Sequence, residues 1–260
     1  MNGTIRMTTD ARGIARLTLA RADKHNALNA AMMDDLTEAA RALAADDAVR
    51  AVVLEAEGVT FCAGGDLAWM QAQAAADGPG RAAEARRLAG MLAALDALPK
   101  PLIGRVQGNA FGGGIGMMAV CDLCVVAAPA RFGLTETRLG LIPATIGPYV
   151  LARIGAGAAR ALFVTARGFG ADEALRLGLA SRVVPPEALD AALDEETAAA
   201  LLCAPGAMAE AKRLIRTLSA PVTPSMVEAS IAALVVRWDS AEVAEGTGAF
   251  FDRRRPDWAG

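Results

Sequence analysis

Two glycine-rich segments, residues 62–66 (Cys-Ala-Gly-Gly-Asp) and 108–114 (Gly-Asn-Ala-Phe-Gly-Gly-Gly), each follow an apolar stretch of the chain. Glycine lets the backbone adopt positive φ angles and approach a ligand closely. A helix that begins near Gly113 would direct unpaired N–H groups and its positive dipole end at that ligand. Two converging N–H groups form an oxyanion hole. Glycine content alone more often indicates ordinary tight turns, so the assignment depends on the surrounding residues.

The second segment does not have the pattern of a nucleotide-binding loop. It lacks the Gly-Lys-Ser/Thr sequence of a P-loop, and Met117 stands where a dinucleotide-binding motif requires its third glycine. No acidic residue ends the following predicted strand, where one would bind a ribose. These absences argue against nucleotide binding.

Glu136 is the carboxylate best placed for acid–base chemistry. It follows a predicted buried strand and stands beside a Gly/Pro-rich segment that ends near residue 148. Most glutamates are exposed, and a surface or helix-capping role is the plain alternative. In apolar surroundings the carboxyl pKa should be raised, which suits proton transfer near neutral pH.

The elements that must position these residues alternate between strands and helices. Apolar runs predict strands at residues 5–9, 14–20, 50–55, 101–107, 122–127 and 180–184. Asn29 is typical of an N-cap, and it precedes an amphipathic helix that ends near Asp46. Further helices are predicted at 81–98, from 112–114 to Cys121, and at 148–154, 158–164 and 171–177. Residues 61–67 are predicted as a loop, followed by a mobile alanine-rich stretch that residues 77–80 (Asp-Gly-Pro-Gly) interrupt.

Beyond residue 187 the strand patterns stop, and helical patterns dominate, notably at 224–237 and 241–253. The predicted fold class is therefore α/β, with a core at residues 1–190 that contains the site and a helical region at 191–260. Apolar positions of the last helices have no obvious partner in the chain. Packing on the core or on a neighbouring subunit would bury them, which suggests oligomerisation.

Composition limits the classes of function. With 54% hydrophobic residues, a net charge of −3 and a pI near 5.4, the chain lacks the basic character of a nucleic-acid-binding protein. We expect no membrane span, because the longest uncharged apolar stretch, 110–121, is too short. Without an apolar signal segment the protein is expected to be soluble and cytoplasmic. His25 is the single histidine, and the four cysteines are expected to be buried free thiols, so no metal site is predicted.

Several separated motifs, in order, resemble the crotonase superfamily of enoyl-CoA hydratases and isomerases. They are Asn-Ala-Leu-Asn at 26–29, Val-Arg-Ala-Val-Val-Leu at 49–54, Phe-Cys-Ala-Gly-Gly-Asp-Leu at 61–67, Gly-Gly-Gly at 112–114, Cys-Asp at 121–122, Phe-Gly at 132–133, Glu136, Leu-Gly-Leu-Ile-Pro at 139–143 and Phe-Phe-Asp-Arg-Arg-Arg-Pro at 250–256.

The resemblance implies a spiral of repeated ββα units, with a helical C-terminal region used in trimerisation and a trimer or a hexamer built as a dimer of trimers. It implies that the N–H groups of Ala63 and Gly113 bind the oxygen of an acyl-CoA thioester, so that coenzyme A belongs to the substrate and no separate cofactor is needed. The substrate contacts that carry over are Ala63, Gly64, Gly65 and Asp66, with Leu67, Lys24, Ala27 and Leu28 as weaker candidates.

The carboxylates depart from the family pattern. Hydratases with two glutamates have one three residues after the oxyanion glycine and another twenty residues further on. Counted from Gly113, these positions are Gly116 and Glu136, so a single carboxylate is present. Hydration needs a proton at the α-carbon and a positioned water at the β-carbon, whereas isomerisation needs one base.

Three functions remain open at this point. The segment 135–150 resembles a bacterial branch of hydratases for branched or carboxylated enoyl-CoAs, of methylglutaconyl type, which often have glycine at the position of Gly116; hydration is therefore the leading prediction. A Δ3–Δ2 enoyl-CoA isomerase with Glu136 as the proton shuttle is the closest alternative, and a non-catalytic acyl-CoA-binding protein is the third. Asp66 is predicted to cap a helix or contact coenzyme A, and Arg138 either meets an acyl carboxylate or lies on the surface.

Overall fold

The computed structural model describes residues 3–219 and 222–259. The strands within these ranges are β1 (Ile5–Thr9), β2 (Ile14–Leu19), β3 (Ala51–Ala56), β4 (Thr60–Cys62), β5 (Leu102–Val106), β6 (Asn109–Phe111), β7 (Leu123–Ala127), β8 (Arg131–Gly133), β9 (Phe169–Gly170) and β10 (Arg182–Val184). The α-helices are α1 (Ala30–Ala45), α2 (Leu67–Ala75), α3 (Gly78–Asp96), α4 (Gly113–Val120), α5 (Gly147–Thr165), α6 (Ala171–Arg176), α7 (Leu189–Leu201), α8 (Pro205–Leu218), α9 (Pro224–Trp238) and α10 (Ala241–Phe251).

The strands form two sheets. The larger sheet has the order β1-β2-β3-β5-β7-β10, and all its pairs are parallel except the β1–β2 hairpin. Its central strands are buried, as the runs at 51–54 and 124–127 require, because a parallel sheet is covered on both faces. The fold is the predicted mixed α/β arrangement.

The smaller sheet, β4-β6-β8-β9, positions the residues of interest. Strands β4, β6 and β8 pair in parallel, so their carboxyl ends lie at the same edge. The first glycine-rich loop follows β4, the second follows β6, and Glu136 follows β8. Each of these strands comes directly after a strand of the larger sheet, which is the repeated ββα pattern.

Three local predictions were wrong. The short strands β4, β6 and β8 lie in segments without a detectable strand pattern, because three residues are too few to show alternation. The stretch predicted to be mobile contains α2. Asp77 starts α3 instead of interrupting structure, because its side chain accepts a hydrogen bond from Gly80 N–H and Pro79 occupies the first turn.

Other predictions were confirmed. Asn29 caps α1 by accepting a hydrogen bond from Met32 N–H at 2.9 Å. The two predicted helices at 148–154 and 158–164 are the two halves of α5, which a non-helical Gly155 separates. The four cysteines are free thiols, although Cys203 is exposed and not buried.

The C-terminal helices find partners within the chain. Leu189 and Leu193 of α7 pack on the larger sheet, and Ile231 of α9 packs against Ala85 and Ala89 of α3. Packing on the core, one of the two expected alternatives for the last helices, is therefore observed for α9. Large apolar side chains of α8 are exposed, namely Leu214, Ile215 and Leu218. No helix in the described ranges is long and apolar enough to cross a membrane.

Candidate active site

The carboxylate of Glu136 lies against the second glycine-rich loop. A Cβ atom added to Gly112 would lie 3.1 Å from Glu136 Oε1, and Gly112 has a φ of +46°. Both facts require glycine at this position, because any side chain would strain the backbone and crowd the carboxylate. The edge of the smaller sheet thus brings the loop and the carboxylate into contact.

The second loop presents an unpaired donor at the start of α4. Gly112 N–H donates to Gly133 O at 3.1 Å, which ties the loop to β8. Among the described residues Gly113 N–H, the first of the helix, has no acceptor. The unpaired N–H groups and the positive end of the helix dipole favour an anionic oxygen there. The structure is therefore consistent with Gly113 as an oxyanion donor.

The first loop corrects the prediction for Ala63. Its N–H donates to His25 O at 3.0 Å, so it is not free to bind a thioester oxygen. Leu28 N–H donates to Gly64 O at 2.7 Å, and Leu28 O accepts from Asp66 N–H at 2.9 Å. These two bonds bracket Gly65, whose own N–H has no acceptor among the described residues. Gly65, two residues further along the chain, is the donor that the first loop leaves free.

Leu28 connects the two loops. Its backbone pairs with the first loop, and its Cδ1 atom would lie 2.6 Å from a Cβ atom added to Gly113. The side chain is buried. Leu28 therefore contacts the first loop at Gly65 and the second loop at Gly113, which makes it a structural support of the site as well as a candidate contact.

The loop at residues 24–28 is fastened by Arg21 and Asn26. The guanidinium of Arg21 donates to Ala27 O at 2.5 Å and to Asp66 Oδ2 at 2.8 Å. The buried amide of Asn26 donates to Glu57 O and Thr60 O, both at 2.8 Å. The sequence gives no signal for Arg21, because its carboxylate partner, Asp66, lies 45 residues away in the chain.

Asp66 caps α2, as predicted. Its Oδ1 accepts from Ala68 N–H at 2.9 Å and from Trp69 N–H at 3.3 Å. Burial acts to raise the pKa of Asp66, but hydrogen bonds from Arg21 and Trp69 outweigh it and hold the pKa below its usual value. The carboxylate is therefore ionised and fully engaged, which does not suit a catalytic base.

Lys24, Leu67 and Arg138 are exposed. Lys24 ends a short 3₁₀ helix, Ala22–Lys24, and is exposed, as is Leu67. Arg138 is exposed and has no ion-pair partner among the described residues, which favours the surface role.

Burial raises the pKa of the Cys62 thiol to about 12, so it is not a nucleophile. The described ranges contain no group of three metal-ligating side chains.

Glu136 has the electrostatics of a proton carrier. It begins a 3₁₀ helix, Glu136–Leu139, and its Oε2 is shielded from solvent with no hydrogen-bond partner in the described structure. Burial raises the pKa of Glu136 to about 7. A carboxyl group with this pKa both accepts and donates protons readily at neutral pH.

The position of the missing carboxylate is filled. A Cβ atom added to Gly116 would lie 2.6 Å from Cγ2 and 3.1 Å from Cβ of Ile146. Leu92 is the next neighbour, at 3.6 Å. A glutamate therefore cannot be placed at residue 116 unless Ile146 changes. The sequence shows the glycine, but only the packing reveals that Ile146 occupies the space.

Comparisons with known proteins identify the family and the fold. Residues 9–260 match the family model described as enoyl-CoA hydratase/isomerase. A Mycobacterium bovis protein named a probable enoyl-CoA hydratase, echA6, is 33% identical over 260 residues, which cover 97% of this chain and 98% of that protein. The crystal structure of an enoyl-CoA hydratase from Shewanella pealeana superposes with a TM-score of 0.81 at 36% identity, covering 98% of this chain and 96% of that chain. An enoyl-CoA hydratase structure from Mycobacterium smegmatis gives 0.80 at 34% identity, covering 99% of each chain.

The raised pKa of Glu136 predicts a pH-dependent change in stability for Glu136→Gln. Because the native pKa of about 7 exceeds the ordinary value of 4.5, the native state binds the proton more tightly than the unfolded state. Wild type should therefore lose stability relative to the glutamine variant as the pH rises from 4.5 to about 7. The difference in unfolding free energy between the two proteins should change by up to about 3 kcal/mol over this range and stay constant at higher pH. Urea unfolding of both proteins at pH 5 and pH 8 measures it.

Glu38→Gln is the matched control, because Glu38 is exposed on α1. Its unfolding free energy should follow that of wild type at both pH values. An equal pH dependence for wild type and Glu136→Gln would contradict the buried, proton-binding carboxyl.

The contact between Gly116 and Ile146 predicts a coupled pair of substitutions. Gly116→Ala should destabilise the protein by about 1–3 kcal/mol, because the new methyl group overlaps Ile146 in a packed interior. Ile146→Ala removes the nearest overlapping atom, Cγ2, so the double variant should be more stable than the sum of the single effects predicts. Thermal and urea unfolding of the four proteins gives the coupling energy. Strict additivity would show that Ile146 does not fill the site.

Proposed function

The chain belongs to the enoyl-CoA hydratase/isomerase family, and we propose that it adds water to an α,β-unsaturated acyl-CoA. The observation that carries the proposal is the Glu136 carboxyl, whose pKa burial raises to about 7 and which lies against the loop that ends in the free N–H of Gly113. The names of the relatives, which are hydratases, support the same reaction.

The proposed thioester site lies at the two free backbone donors. With its carbonyl oxygen between the N–H groups of Gly113 and Gly65, the thioester becomes a better electron acceptor, because the negative charge of the enolate develops on that oxygen. Loss of one such donor typically costs about 10²–10³-fold in rate. These donors do not depend on side-chain identity, so the glycine at residue 116 leaves them in place.

Glu136 then carries the proton. In its ionised form it removes a proton from the water molecule as the water oxygen bonds to the β-carbon, and the electrons of the double bond move into the thioester enolate. The protonated Glu136 returns the same proton to the α-carbon, which restores the thioester carbonyl. Atoms and charge balance with one carboxyl group, and the pKa near 7 suits both steps.

A specific observation favours isomerisation as the second candidate. Because Ile146 fills the space beside Gly116, no second carboxylate can hold the water molecule from that side. Shuttling one proton from the α-carbon to the γ-carbon of a 3-enoyl thioester needs only Glu136. The two reactions share the thioester site and differ in whether water enters.

For the acyl group we propose a branched apolar chain in preference to a carboxylated one. The pKa of Glu136 is set by burial, and no cationic side chain of the described residues contributes to its shift. A carboxylated acyl group placed against the buried carboxyl of Glu136 would therefore meet no cation there, since the nearby Arg138 is exposed. We also propose a homotrimer or hexamer, in which the exposed apolar side chains of α8 provide surface for subunit contacts.

Glu136→Gln tests the role of the carboxyl. The variant should lose at least about 10²-fold in kcat for hydration, because the amide cannot carry the proton. It should bind a saturated acyl-CoA with a Kd within about twofold of wild type, since the backbone donors are unchanged. Stopped-flow kinetics and calorimetry provide the two measurements. Near-normal turnover of the variant would eliminate Glu136 as the acid–base group.

Product analysis separates the candidate functions. Wild type should convert a 2-enoyl-CoA to a 3-hydroxyacyl-CoA, with loss of the conjugated absorbance, and branched apolar substrates should react faster than carboxylated ones. An isomerase would instead convert a 3-enoyl-CoA to the 2-enoyl isomer without a hydroxylated product. Binding of acyl-CoAs with no turnover in either assay would indicate a non-catalytic binding protein.

A further inference from the structure

The short helix that carries Glu136 is in backbone contact with α10. A Cβ atom added to Gly246 of α10 would lie 2.6 Å from the carbonyl carbon of Leu139 and 2.7 Å from its oxygen. Such a distance leaves no room for any side chain at Gly246 unless one of the two backbones moves. The last residue of the 3₁₀ helix thus packs directly on α10.

A second contact joins the same elements one residue later. Gly140 ends the 3₁₀ helix with a φ of +75°, and a Cβ atom added there would lie 2.6 Å from Glu242 O, at the start of α10. The guanidinium of Arg237, at the end of α9, donates to Gly140 O from Nε at 2.9 Å and from Nη2 at 2.7 Å. Arg237 also forms an ion pair with Glu242, which ties the end of α9 to the start of α10.

Apolar side chains complete the contact. Leu141, Trp238 and Val243 are buried together, with Leu139 and Leu234 packed against them. Helices α9 and α10 therefore both contribute to one interface with residues 139–141. A turn of four residues has little stability of its own, so its position depends on what packs against it.

We propose that α10 is a positioning element for Glu136, with Gly246 and Arg237 as the positioning residues. This proposal rests on the proposed function, because it assigns a consequence for catalysis to a packing contact. The C-terminal region, expected to serve trimerisation, holds the base of its own subunit in this assignment. A displacement of the 3₁₀ helix changes the distance between Glu136 and the bound thioester.

The consequences for binding and for turnover should differ. The donors Gly65 and Gly113 lie on loops that are fastened by Leu28, Arg21 and the smaller sheet, whereas Gly246 and Arg237 contact Leu139, Gly140 and Glu242. Moving α10 should therefore lower kcat and leave the affinity for an acyl-CoA unchanged. A misplaced catalytic group loses rate even when the substrate binds normally.

Gly246→Ala and Gly248→Ala form a matched pair on α10. Both add one methyl group and the same gain in helix propensity, but a Cβ atom at Gly248 meets nothing within 4 Å. We expect Gly246→Ala to lower kcat at least about tenfold with the Kd for a saturated acyl-CoA within about twofold of wild type. Amide hydrogen exchange in residues 136–141 should be faster in this variant. Gly248→Ala should match wild type in all three measurements.

Arg237→Gln provides an independent variant if Gly246→Ala does not fold. It removes the paired donation to Gly140 O without adding volume, so it should also lower kcat, preserve acyl-CoA binding and speed exchange in residues 136–141. Arg237→Lys keeps one donor and should recover part of the rate.

Two results would overturn the proposal. One is equal kcat and equal exchange in the two glycine variants; the other is a parallel loss of kcat and acyl-CoA affinity, which indicates general damage. If wild type turns over no enoyl-CoA, the proposed function fails, whereas hydrogen exchange at residues 136–141 still tests whether α10 holds the 3₁₀ helix.

Discussion

The parallel pairing of β4, β6 and β8 is the constraint on which the site depends. Each strand has three residues, yet their carboxyl ends direct the first loop, the second loop and Glu136 to one edge. In parallel sheets this edge is where ligands bind, because the loops that leave it converge there. The larger sheet supports this arrangement, because β4, β6 and β8 each follow directly, along the chain, a strand of the larger sheet. The ββα repeat thus brings the two glycine-rich loops and Glu136, which are far apart in the chain, to the same edge of the smaller sheet.

Backbone hydrogen bonding decides which N–H groups can act. Nearly every buried backbone donor in a folded protein has a partner, so an unpaired donor in a crevice is informative. Ala63 is committed to His25 O, and the pairing with Leu28 leaves Gly65 N–H free. At the second loop the start of α4 leaves Gly113 free, because the first turn of a helix has no internal acceptor for its N–H groups. Leu28 touches both loops, so the same residue that selects Gly65 also supports Gly113.

Apolar packing sets the environment of Glu136 and also fills the space beside Gly116. Burial without a hydrogen-bond partner for Oε2 raises the pKa of Glu136 towards neutrality, which makes one carboxyl able to accept and release a proton. Ile146 closes the space beside Gly116, so a second carboxylate is excluded by volume and not only by the absence of a glutamate. Close glycine contacts with α10 hold the turn on which Glu136 stands. The proposed chemistry therefore relies on a single carboxyl whose environment is built from apolar and backbone contacts.

The sequence by itself determined the α/β class, the helical C-terminal region and the N-cap Asn29, and it indicated Asp66 as a cap and Glu136 as the candidate base, because residue type and local spacing are enough for these features. It also located both glycine-rich loops, since glycine marks where a backbone must turn tightly. Tertiary structure alone decided that Gly65 and not Ala63 has the free N–H, that Ile146 fills the space at Gly116, and that α10 packs on the turn of Glu136. Each of these depends on contacts between segments far apart in the chain, and local sequence does not specify which distant backbone a donor, a methyl group or a glycine will meet.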